Sequence, residues 1–268
     1  MTLEGLLDKT VVIAKRDWLT AIRYRTGFLI TILGAAAELA AFYYLAHAIG
    51  PGFRPDGIDY FPFLLVGTGF YTFLVTGINA FLVVIQEAQQ TGTLEVLMTT
   101  STPAAVLLFL SAMSAFAGGT LQLIFYIGAG LLLSDFPFHP NVAGSLVIFA
   151  MSLMIAVAFG MFAASLQLAI QKGSALVWLL GSGAWFMTGT LFPVSTLPRP
   201  LSRLAEWIPI THALTGMRMA LLQGVAFDGL GREIAVLAVF CAILLPSSLW
   251  VFSRTLRAAR RSGTLSFY

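Results

Sequence analysis

Residues 91–103 read TGTLEVLMTTSTP, from Thr91 through Gly92, Thr93, Leu94, Glu95 and Leu97 to Pro103. This short, polar, mostly uncharged stretch sits between two long apolar runs, near 61–86 and 104–133. An excursion out of lipid ordinarily ends in a charged or floppy loop. Here the pattern predicts one short helix over about 91–101. Thr102 then suits the N-cap of the following helix, and Pro103 its first position, where a missing N–H costs nothing. A structured helix at the membrane face predicts that something docks there.

The surrounding chain sets the fold class. Of 268 residues, 58% are hydrophobic and only 10% charged, and the mean hydropathy is +0.89. A soluble domain of this size needs far more surface charge. Apolar stretches of about 20 residues imply membrane-crossing helices. Six are expected, near 27–49, 61–86, 104–133, 142–170, 174–193 and 232–253. The third is long and carries Gly118-Gly119, a plausible kink. The fourth places Ser152, Ala156, Gly160 and Ala164 every four residues, a stripe for close helix approach within this subunit or with a second copy. The reading is an all-α polytopic membrane protein forming a single domain over 1–268. The start at Met1 has no basic tip and apolar core, so no cleaved signal peptide is expected.

Residues 3–24 form an amphipathic pattern. Leu3, Leu7, Val11, Ala14, Trp18 and Ile22 share one stripe, with Lys9, Arg16 and Arg23 opposite. That suits an interface helix on the cytoplasmic lipid surface, with Trp18 at headgroup depth and Arg25 following. Placing both termini inside puts ten basic residues in the cytoplasm: Lys9, Lys15, Arg16, Arg23, Arg25, Lys172, Arg254, Arg257, Arg260 and Arg261. Five fall outside: Arg54, Arg199, Arg203, Arg218 and Arg232. The excess orients the bundle and puts 91–103 in the cytoplasm. The basic pI near 9.2 therefore follows topology and implies no nucleic-acid partner. Between 194 and 222, Leu197, Leu201, Leu204, Trp207 and Ile208 alternate with Arg199, Arg203 and Glu206, and His212 to Leu222 is apolar again, which predicts two short helices dipping back into the outer leaflet.

Several residues resemble a known family. Glu87, Gly92-Thr93-Leu94-Glu95, Leu97 and Pro103 resemble the "E…GTLE.L…P" segment of type-2 ATP-binding-cassette (ABC) exporter permeases. A second block, Gly189-Thr-Leu-Phe192-Pro193 with Leu197-Pro198, then Pro209-Ile-Thr-His212 and Gly216-Met-Arg218, resembles that family's segment before its last span. The family often has Pro directly after a small residue at 100–103; here Thr-Ser-Thr intervenes, which shifts where the short helix ends. The resemblance implies that 91–101 is a coupling helix seated in a groove of a separate ATPase. It also implies that the re-entrant helices line the outer end of the pathway. The chemistry of the chain agrees, because no G-x-x-x-x-G-K-[ST] loop is present to cradle phosphates. ATP and magnesium are then expected on the partner ATPase, with no cofactor on this chain.

Other candidates follow from residue type. Glu38 is the one carboxylate well inside a span, where an ionisable group calls for a functional hypothesis. It either faces a pathway, pairs with Tyr or Thr groups, or is protonated and structural. Phe70, Tyr71, Asn79, Phe192, Pro193 and His212 complete the candidate pathway. The aromatics Tyr60, Phe61, Phe63, Phe70, Tyr71 and Phe73 either guide a sugar chain or pack. His47, His139 and His212 lack metal-ligand spacing, so no metal site and no catalytic residue is expected. The single cysteine, Cys241, excludes an internal disulfide and is expected to pack.

The expected function is the permease subunit of an ATP-driven exporter in the cytoplasmic (inner) membrane. It would work as a homodimer, or with a similar partner, and with two ATPase copies, moving a drug- or lipid-like amphiphile. Lipid-linked polysaccharide is the alternative cargo. An ATP-independent secondary transporter or channel is the alternative class; it predicts inverted repeats and several intramembrane charges, and the chain offers neither.

Overall fold

The computed structural model describes residues 25–94, 104–133, 140–170 and 173–262. The interface helix over 3–24, with Lys9, Arg16, Trp18 and Arg23, lies outside the described residues, as do Lys172, His139, Glu95, Leu97 and Pro103. Arg25 opens the first described helix, but its side chain is likewise outside the description.

Among the described residues the chain is helical, with no strand. We label the helices α1 (Arg25–Ile49), α2 (Tyr60–Gln90), α3 (Ala104–Leu133), α4 (Val142–Ile170), α5 (Gly173–Met187), α6 (Arg199–Ala205), α7 (Pro209–Leu221) and α8 (Gly231–Ser262). Five of these stretches are long and apolar enough to cross a membrane: Leu29–Ile49, Tyr60–Gln90, Ala105–Leu133, Val142–Ile170 and Phe227–Arg261. Their outward side chains agree, since Leu33, Val83, Leu121, Leu132, Leu146 and Ile243 are all exposed. A water-facing surface would not carry so broad an apolar area; hydrocarbon accepts it.

The expected span at 174–193 is the exception. Its helix α5 has only 15 residues, roughly 22 Å at 1.5 Å per residue, short of the ~30 Å hydrocarbon core. The helix stops because Gly189 takes a left-handed φ of +80°, a conformation open to glycine at little cost. The region after it matches expectation better, with two short helices, α6 and α7, between residues 194 and 222. The last helix is longer than expected. It runs to Ser262 and carries Pro246 internally. Beside that proline, Ser247 and Ser248 donate to carbonyls of the preceding turn, Ile243 at 2.6 Å and Leu245 at 2.8 Å, an accommodation apolar surroundings demand.

The core lies where α4 packs along α8 and α2, with α3 against the other side of α2. The small-residue stripe of α4 is used inside the subunit. Ser152, Ala156, Gly160 and Ala164 are all buried, and a methyl added at Gly160 would run into the Phe81 ring of α2. Phe70, Phe73, Phe116 and Phe149 form one aromatic cluster, with Phe73 stacked on Phe149 at 5.0 Å between centroids. These rings are core. Cys241 is buried too, its thiol donating to the Met151 carbonyl at 3.4 Å. By contrast α1 buries little of its length and touches only α2 and α3 to any extent.

Candidate functional site

Three places carry polar chemistry that a bundle in lipid does not need for packing alone. The first is where α7 meets the start of α2 and the turn after α5. Arg218 is buried, and its guanidinium is spread over main-chain carbonyls. Nε and Nη2 donate to Phe63 O at 3.2 and 3.1 Å, Nη1 to Gly189 O at 2.7 Å, and Nη2 also to Thr190 O at 2.9 Å. The cation also sits 3.5 Å from the centroid of the Phe63 ring, a favourable cation–π geometry. Gly67 makes the approach possible, because a side chain there would overlap the guanidinium and the Thr190 carbonyl. Burial pushes the Arg218 pKa down to about 9, with the charge of Asp56 opposing, so the group stays protonated at neutral pH. The carbonyls freed where α5 ends are thus satisfied by one side chain from α7. Thr188 and Thr190 add a hydroxyl pair at 3.0 Å beside them.

The second place joins α7 to α8. His212 Nδ1 meets Glu233 Oε2 at 2.6 Å, and Nε2 meets the Glu206 carbonyl at 2.9 Å. The Glu206 carbonyl can only accept, so Nε2 donates to it, and the Glu233 carboxyl lies where it favours a proton on Nδ1 as well. The Glu233 bond holds the His212 pKa above its ordinary value, against desolvation by burial, with the Glu206 carbonyl adding to the rise. Nearby, Asn141 caps α4 through Gly144 N at 3.0 Å, donates to Val225 O at 2.9 Å, and takes Ala220 O on its own N–H at 2.8 Å. Together these contacts tie α4, α7 and α8 into one rigid end.

The third place is a cleft between α1, α2 and α3, of about 310 Å³ with its open mouth included, lined by Glu38, Thr72, Thr76, Gln122, Tyr126 and Phe73 among others. Glu38 is exposed within it.

The remaining sequence candidates are dispersed. Phe70 is buried at 1% exposure and Tyr71 at 5%, and the Tyr71 hydroxyl donates to Gly181 O at 2.5 Å. Phe192 is half-buried and Pro193 buried near the Arg218 cluster, while Asn79 is exposed on α2. His212 lies in the α7–α8 pair, well apart in the fold from the Glu38 cleft. On the stretch after α2, Glu87, Gly92 and Thr93 are exposed and Leu94 is buried at 1%. The helix end there is well formed. Thr91 donates from both N–H and hydroxyl to Glu87 O, at 2.9 and 2.8 Å, and Gly92 turns the chain with φ +67°.

Sequence reasoning placed Arg218 among ordinary external arginines and missed its burial. The available signal was its position, four residues after Leu214 in a helix opened by Pro209, with apolar neighbours on both sides. The Glu233 partner of His212 was missed as well, because 21 residues separate the two. Among the described residues no group of three or more His, Cys, Asp or Glu is placed to hold a metal.

No curated protein matches the chain. Residues 53–250 match the family described as ABC-2 family transporter protein, a stretch that begins before α2 and ends within α8 and so takes in the Arg218 cluster, the α7–α8 pair and two walls of the Glu38 cleft. With well over half its length matched and five long apolar helices carrying the match, this multi-pass membrane protein belongs to the ABC-2 transporter family.

Proposed function

We propose that the chain is the permease subunit of an ATP-driven exporter, paired with a separate ABC ATPase that holds ATP and magnesium. The observation that carries this reading is the family match over residues 53–250, in a chain without a phosphate-cradling loop. The coupling element is residues 91–101. Its described approach supports that role: α2 ends in a capped turn, Glu87, Gly92 and Thr93 face outward, and Leu94 anchors the start of the segment. In this reading the chain is one domain whose α5, despite its length, serves as a sixth crossing together with the turn that follows. Both termini are cytoplasmic, the membrane is the cytoplasmic one, and two copies pair so that cargo passes between them. The cargo is a drug- or lipid-like amphiphile. Lipid-linked polysaccharide is less favoured, because the aromatic residues that would stack sugars are packed into the core.

The test is to purify the tagged chain from its own cells and ask what comes with it. An ABC ATPase should co-purify in equal copies, with two permease chains in the native mass. Replacing Leu97 by Ala, or Glu87 by Ala, should loosen that association about thirty-fold, since a central interface anchor carries about 2 kcal/mol. Recovery of the chain without any ATPase, or normal association after Leu97→Ala, would sink the reading.

A further inference from the structure

The cleft between α1, α2 and α3 sits near the midpoint of all three helices, as the positions of Glu38 in Arg25–Ile49, Thr72 and Thr76 in Tyr60–Gln90, and Gln122 in Ala104–Leu133 require. All three helices lie in stretches long and apolar enough to span a membrane, so the cleft stands at mid-depth. A carboxylate and an amide at that depth are costly unless something satisfies them. Among the described residues, no side-chain hydrogen bond or ion pair is made by Glu38, Thr72, Thr76 or Gln122, and no Lys, Arg or His lines the cleft. The Thr68 hydroxyl donates to Leu64 O at 2.6 Å, so the 3.2 Å contact between Thr68 and Tyr126 is donated by Tyr126. The proton of Tyr126 is therefore committed, and its oxygen is left as an acceptor. The cleft is thus rich in acceptors, holds one ionisable carboxyl, and has no cation among the described residues that line it.

We infer that this cleft is a binding site for a primary ammonium group carried on an apolar tail. An ammonium presents three N–H donors and one positive charge, which answers Glu38 together with the hydroxyl, amide and phenol oxygens around it. The enclosed space takes about one water-sized group, which is the size of the ammonium itself, while the rest of the ligand lies in the surrounding hydrocarbon. The site gives the proposed export activity a substrate class, amine-bearing amphiphiles, and to that extent rests on it. The ammonium belongs either to a soluble amphiphile or to an aminophospholipid headgroup.

The experiment is equilibrium binding of radiolabelled dodecylamine to the purified full-length chain, with its ATPase where the two co-purify, in phosphatidylcholine nanodiscs at neutral pH. Binding should saturate. It should weaken about ten-fold or more in Glu38→Gln, the scale of one charge-assisted hydrogen bond, and several-fold in the Thr72→Val and Thr76→Val variants. Dodecyltrimethylammonium, which has charge but no donors, should compete less well than dodecylamine, and dodecanol should show no dependence on Glu38. Competition by phosphatidylethanolamine added to the nanodiscs assigns the site to a lipid headgroup. Absence of that competition assigns it to a soluble amphiphile. Equal dodecylamine binding by wild type, Glu38→Gln and Thr76→Val overturns the proposal. ATPase co-purification is scored on the same preparations, so a failed ammonium site with an intact ATPase complex leaves the permease reading standing, and the reverse result does the opposite.

Discussion

Arg218 and Glu38 are two ionisable side chains in one apolar bundle, and they are treated in opposite ways. Arg218 is buried and makes four hydrogen bonds to three carbonyls. Glu38 is exposed in a cleft with no partner among the described residues. The regions around them differ likewise. The end built by α4, α7 and α8 is stitched by Asn141, His212 and Glu233, whereas α1 is thinly packed against α2 and α3. A buried charge with four of its five donors used belongs to the framework. An unpartnered charge at mid-depth is left for something that arrives.

Substitution should separate the two most sharply at Arg218. Arg218→Met leaves the Phe63, Gly189 and Thr190 carbonyls without their donor, and each orphaned buried group costs about 1–3 kcal/mol. Thermal unfolding of the purified chain should show a loss of about 3 kcal/mol or more, or the protein should fail to accumulate. Arg218→Lys should recover only part of this, because an ammonium cannot reproduce the guanidinium fork. Wild-type stability in Arg218→Met would end the claim that these carbonyls depend on one side chain.

Gly67→Ala approaches the same cluster from the other side. Its methyl would force the guanidinium off its carbonyls, at about 1–3 kcal/mol for overpacking, and the same melting experiment reads it.

The α7–α8 pair should give a pH signature. The folded His212 pKa is raised, so its stabilisation is fully present below the unfolded value of about 6.5. It is lost as the pH rises through the higher folded value. The melting temperature should therefore fall between mildly acidic and alkaline pH, and His212→Gln should flatten that slope. A slope unchanged by the substitution would mean that other groups govern it.

At Glu38 the expectation reverses. Glu38→Gln should change stability by no more than about 0.5 kcal/mol, since Glu38 makes no side-chain bond among the described residues. A loss as large as that of Arg218→Met would make Glu38 a framework residue and erase the contrast. The smallest effect belongs to Arg54→Ala. It breaks a 2.8 Å pair with Asp59 whose side chains are 60% and 46% exposed, and such surface pairs contribute about 0–1 kcal/mol.

Much of the fold was legible in the residue pattern, because a helix in lipid announces itself by length and apolarity alone. The third and fourth spans, 104–133 and 142–170, coincide with α3 and α4, and the two short helices before the last span were visible in their alternating residues. The helix of the fifth expected span ends earlier than 193 because Thr188, Gly189 and Thr190 are small enough not to interrupt a hydropathy run, while the backbone there leaves the helix to meet Arg218. The small-residue stripe of α4 was readable, but its partner was not, since spacing says that something packs closely and never what.

Composition and hydropathy determined by themselves that the chain is a membrane bundle. These are sums over local residues, and sums need no partner. Only the tertiary structure decided which polar groups are spent and which are free. Arg218 and Glu38 look alike in sequence, each a lone charge among apolar neighbours. Whether three carbonyls converge on one, and no hydrogen-bonding group among the described residues on the other, depends on contacts between segments as distant as Phe63 and Arg218. Hydrogen bonds are short and directional, so satisfaction is a property of the assembled bundle.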